Sequence, residues 1–143
     1  MASLTNAAET SLLQLLMQAV AWADIADNDA TSPQANWRYS LHTGSPGDTG
    51  NQTTSEAAHA PYARVSVART TAGHTVTNDT ASPAANIDFA ACTSGTATVT
   101  HMGIGKATSG SGYLLLHGAV SPSIAVAAGV TARLTTGSTI VAA

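Results

Sequence analysis

The sequence predicts a mainly β fold, an antiparallel jelly roll or β-sandwich of about eight to nine short strands behind one N-terminal α-helix. Three observations carry this. Short runs rich in Val, Ile, Thr and aromatic residues recur from Asn36 onward, each bounded by Gly, Pro, Asn or Ser. No stretch after residue 30 has the period of a helix. No fixed-period repeat stands out, which argues against a solenoid or propeller.

Residues 1–30 hold the helix and its acidic end, 31–36 a hinge and 37–143 the β domain. The helix is expected over residues 6–26. Asn6 and Glu9 have capping-box spacing, with Asn in place of Ser or Thr. Leu12, Leu13, Leu15, Leu16, Ala19, Val20, Trp22 and Ala23 share one broad side, opposite Gln14 and Gln18. That side must be buried, on the chain's own β domain or on a neighbouring subunit. Asp24, Asp27 and Asp29 crowd the C-terminal end, where the helix dipole favours cations. They suit a solvated end or a basic partner surface. Asp27-Asn28-Asp29 lacks the Gly and Glu of an EF-hand, so no metal is expected. Pro33 closes any helix.

In Trp37–His42, Trp37, Tyr39 and Leu41 alternate with Arg38, Ser40 and His42. The first set is assigned to the core, and His42 to a solvent face. A polar loop runs from Thr43 to Pro61 before the next strand, Tyr62–Arg69. It is too long for a turn, and a connection of that length in a compact domain is usually functional or disordered. Short strands are expected at 74–77, 87–89, 96–104, 113–117, 124–127, 130–134 and 138–142, with turns at 71–73, 78–83 and 93–95 and at Pro122. Tyr113–His117 is a continuous apolar run, which suits a central strand covered on both faces. The last segment, with Ile140 and Val141, is uncharged and β-prone. Left on an edge it would pair with another chain.

Only 9% of the 143 residues are charged, against about 25% in a typical soluble domain. A surface of Ala, Thr, Ser and Gly suits a protein packed in an assembly or exposed outside the cell. The five basic residues are scattered, so nucleic acid is not an expected partner. Gln14, Gln18 and Asp24 interrupt the apolar run before it could cross a membrane, and Glu9 stands where a secretory signal would be basic. The protein is expected to be soluble when made. With one cysteine, Cys92, no intrachain disulfide can form.

No cofactor and no catalytic residue are predicted. His42, His59, His74, His101 and His117 have no metal-ligand spacing. Gly103-Ile104-Gly105-Lys106 fails the phosphate-loop pattern, with Thr100 and Ala107 at the required Gly and Ser/Thr positions. Asp24, Asp27, Asp29, Asp48, Asn51, Gln52, Glu56, Ile140 and Val141 remain as candidate interface residues.

Ser40-Leu41-His42-Thr43, Gly50-Asn51-Gln52-Thr53-Thr54-Ser55-Glu56-Ala57 and Tyr62-Ala63-Arg64-Val65 resemble a family of small tailed-bacteriophage structural proteins. Ala91-Cys92-Thr93, Ala97-Thr98-Val99-Thr100-His101 and Ser109-Gly110-Ser111-Gly112 fit it too. The chain is most similar in layout to head cement (capsid decoration) proteins of the Bordetella bacteriophage type, and relatives also carry tail-fibre-like labels. The resemblance implies a jelly roll on the outer surface of the phage head, made in the host cytoplasm. It would bridge major capsid proteins as a homodimer, with a trimer as the other arrangement. The alternative is a receptor- or carbohydrate-binding tail-fibre domain, with exposed aromatics over a groove. On the cement reading the 44–61 loop is the expected contact with a capsid neighbour, and shortening it should leave the fold intact and weaken shell binding.

Overall fold

The computed structural model describes residues 2–18, 21–23, 25–26, 34–77 and 80–141. Its elements in chain order are β1 (Ala2–Leu4), α1 (Asn6–Gln18), β2 (Asn36–His42), β3 (Val65–Ala68), β4 (His74–Thr77), β5 (Thr80–Pro83), β6 (Ile87–Asp88), β7 (Ala97–Gly105), β8 (Leu114–Val126), β9 (Arg133–Leu134) and β10 (Ile140–Val141). The fold is mainly β, as expected. A five-stranded sheet has the order β1-β8-β7-β2-β3, a three-stranded sheet β10-β5-β4, and β6 pairs with β9. Every pairing is antiparallel, and the arrangement is compatible with a jelly roll.

The N-terminal segment departs from expectation. Ala2–Leu4 is a strand on the β8 edge, with Ser3 opposite His117. Thr5, not Asn6, caps the helix. Its buried Oγ1 accepts from the Ala8 N–H at 3.3 Å and donates to the Leu114 carbonyl at 2.8 Å. The helix ends at Gln18 rather than near 26, and Trp22 and Ala26 bridge in a tight turn beyond it. Of the apolar face, Leu12 and Trp22 are half-buried and Ala23 is exposed. The side chains of Leu13, Leu15 and Leu16, with Ala19 and Val20, lie outside the described residues, as do Asp24, Asp27, Asp29 and residues 31–33 of the hinge.

The core joins one face of the large sheet to the β6–β9 pair. Tyr39 and Leu41 from β2, and Val99, Met102 and Ile104 from β7, pack with Ile87, Phe89, Cys92 and Leu134. Strict alternation along β7 would put Val99 on the face opposite Met102 and Ile104. The β7–β8 register breaks between Val99 and His101, and this irregularity brings both sets into one cluster. The same break explains why Pro122 makes no turn. Val99 faces Ile124 and His101 faces Ala119, so Thr100 alone opposes residues 120–123. Pro122 lacks an N–H and sits where the ladder needs none, and β8 runs through as one strand. The expected turn at Thr80–Pro83 is strand β5, paired along β4.

The other face of β2 is also covered. Ser40 and His42 are both fully buried, which overturns the solvent assignment of His42. β2 lies between β7 and β3, and the long loop folds down over this face, so neither side of its Tyr39–His42 half meets water. The β4 hairpin is tied on by Tyr39. Ala68 O can only accept, so His74 donates from Nδ1 at 3.1 Å, and its Nε2 accepts the Tyr39 hydroxyl at 2.9 Å. Burial pushes the Tyr39 phenol up to about 12.

Candidate functional site

The feature that sets this domain apart is the fixation of its long loop. Beyond Tyr39 the β2–β3 ladder stops, so Leu41 needs new partners. Its N–H donates to the Tyr62 hydroxyl oxygen at 2.9 Å, and its carbonyl accepts from Ala57 N at 2.8 Å. Tyr62 and Arg64 were expected within the strand. They lie just before β3, and their side chains do a different job. The Tyr62 hydroxyl donates to Glu56 Oε1 at 3.0 Å, and Arg64 grips both Glu56 oxygens at 2.7 Å. Such a two-pronged pair fixes orientation as well as neutralising charge. The Arg64 side chain is only 2% exposed. Desolvation drives the Tyr62 phenol far above its usual range, so it stays a neutral donor.

The same guanidinium reaches the Lys106–Gly112 loop. It donates to the Ala107 carbonyl at 3.0 Å and to the Gly110 carbonyl at 2.8 Å. Gln52 completes the join. Its Nε2 donates to Ala107 O at 3.3 Å, its Oε1 accepts from Ala107 N at 2.9 Å, and its own N–H donates to Gly112 O. Glycines make room for this. A Cβ on Gly105 would lie 2.3 Å from Gln52 Cδ, and one on Gly112 would lie 2.3 Å from Gln52 Oε1. The Gly103-x-Gly105 spacing, which fails as a phosphate loop, is therefore a close-approach signature in a strand.

His42 pins the loop from below. Its Nδ1 donates to the Thr54 carbonyl at 2.8 Å, and Ser40 Oγ lies 2.9 Å from its Nε2. A Cβ on Gly103 would come within 2.7 Å of that nitrogen. Burial lowers the His42 pKa below the ordinary imidazole value, so the ring is neutral at physiological pH. The two loops thus form one fixed platform, with Thr49, Thr53, Ser55, Ser109 and Ser111 exposed on it.

The sequence-based candidates distribute unevenly over this platform. Asp48 is exposed, with its carboxylate 3.2 Å from His117 Nε2, and its backbone carbonyl accepts from Asn6 N. Asn51 is half-buried and closes a local turn onto Thr53. Gln52 is fully buried, so it serves the platform from inside and presents no side chain outward. Glu56 is spent on Arg64 and Tyr62. Ile140 and Val141 are half-buried and paired with Ala81 and Thr80, so this face of the last strand is already used. Asp24, Asp27 and Asp29 lie outside the described residues. Reading by residue type missed Ser40, His42, Tyr62 and Arg64, because polar residues near a long loop read as surface.

A family model described as Podophage GP4 fiber I protein gp80 matches residues 3–142, nearly the whole chain. The chain belongs to that family. No curated protein matches it. Membership of the gp80 fiber I family makes the protein a bacteriophage structural protein, and a place in the virion follows. The family is a structural one rather than an enzyme family. No described helix is long and apolar enough to cross a membrane.

Proposed function

We propose that the protein is a structural module of a podophage fibre, and that its fixed loop platform contacts the neighbouring virion protein. The observation that carries this reading is the gp80 match across residues 3–142. A groove of about 450 Å³ supports it as a second contact surface. Half-buried Trp37 lines it with Arg69, His74, Val76 and Ile140, and the Arg69 guanidinium lies 5.4 Å over the Trp37 ring. Aromatic and Arg side chains at a groove are the usual anchors of recognition. On this reading the protein assembles with copies of itself along the fibre.

The residue words around 40–69 and 91–112 favour a second reading, head cementing. There the platform would bridge major capsid proteins, and binding only the assembled shell would stabilise it by mass action. Cryo-microscopy of particles separates the two. Density on the tail, with a few to dozens of copies, fits the fibre. Hundreds of copies on the shell lattice would replace it with the cement role.

A further inference from the structure

We propose that the platform is an acid-released latch, in which protonation of His42 uncouples residues 43–61 from the sheet. The inference rests on hydrogen-bond roles. The Thr54 carbonyl can only accept, so His42 Nδ1 must carry the proton. In the neutral ring Nε2 is then an acceptor, and the Ser40 hydroxyl must donate to it. A second proton turns Nε2 into a donor. Ser40 would have to accept instead, leaving its own hydroxyl hydrogen to find a new partner in a fully buried site.

The new charge also lacks a counterion. Glu56 faces His42 across an isolated bridge, but both its oxygens already serve Arg64, and one also serves Tyr62. Arg64 itself is a cation acting on the ring. From β7 the register partner is His101, which disfavours a second charge. Leu114 of β8 closes the same space beside Gly103 and does not titrate. Beside Gly103 the ring already shares the space of the missing side chain with Ser40 Oγ and Leu114 Cδ1, each within 2.8 Å of the position a Cβ would take. The cheapest relief is to part Thr54 from His42 and hydrate the ring.

Linkage gives the sign and the window. The latched state resists a proton that the opened state accepts near the ordinary imidazole pKa of about 6.5, so opening is favoured as pH falls below that value. The opening equilibrium should rise by up to about tenfold per pH unit below it.

Hydrogen–deuterium exchange on the full chain, at about pH 7.5 and about pH 5 and corrected for intrinsic rates, tests this. Protection should fall, by up to about thirtyfold, in residues 43–57 and 106–112, with the β7–β8 ladder unchanged. Unchanged loop protection, or loop and ladder opening together, would overturn the latch. His42→Asn should abolish the acid response and His101→Gln should keep it, and the reverse pattern would also overturn it. If His42→Asn does not fold, imidazole nitrogen NMR of the unaltered protein decides. His42 must take up its proton over the window in which the loop opens, and a ring that stays neutral through opening refutes the proposal.

Discussion

The 43–61 loop and the β4–β5 hairpin invert the usual relation between regular structure and anchorage. The loop has no regular strand or helix, yet its Gln52, Ala57 and His59 are buried, and a largely buried Arg64 paired with half-buried Glu56 ties it to a second loop. The hairpin is regular, yet three of the four β4 residues are exposed, and Val76 at 70% is the most exposed large apolar side chain among the described residues. Backbone pairing within a hairpin satisfies local hydrogen bonds without fixing it to the rest of the molecule. Buried polar side chains that reach across long sequence separations do fix a loop, because each one left unpaired is costly.

Four substitutions test that contrast. Arg64→Ala should do the most harm, because it takes the cationic partner from the Glu56 carboxylate and removes one of the two ties between the loops. A loss of about 3–5 kcal/mol in urea unfolding is expected. A loss below about 1 kcal/mol would mean that the ion pair is incidental. Gly105→Ala drives a methyl against Gln52 and the Tyr113 carbonyl, which would lie 2.3 and 2.4 Å from it. Overpacking there should cost about 2–3 kcal/mol, read as a lowered melting temperature. Gln52→Ala removes both bonds to Ala107 at about 1–2 kcal/mol and should raise amide exchange in residues 106–112 more than elsewhere. Val76→Thr, on the regular hairpin, should change stability by less than about 0.5 kcal/mol. A larger effect would show that the hairpin is packed where the structure leaves it open.

The same contrast corrects one expectation about the loop. Shortening it was expected to spare the fold. Its Ala57 belongs to the core cluster and its Gln52 and Glu56 hold two segments together, so trimming between Gln52 and His59 removes structure as well as surface. Contact residues are better probed at exposed Thr49 and Ser55, whose side chains the network does not use.

Much of the fold was legible from residue order alone. The period-two runs placed β2, β4, β6 and β7 to within a residue or two, and the apolar Tyr113–His117 run marked a strand buried between neighbours. These features depend on local pattern, since side chains alternate along any strand. The capping hydroxyl of Thr5 was within reach but hidden by Asn6 beside it. What the sequence could not settle was which polar residues are inside. Ser40, His42, Gln52 and Arg64 look like surface by type, and only the return of the loop over β2 decides otherwise. His42 and Gln52 are held by partners 12 and 55 residues away, beside glycines whose missing side chains leave the space. Strand pattern is a property of neighbours in sequence, and polar burial is a property of neighbours in space.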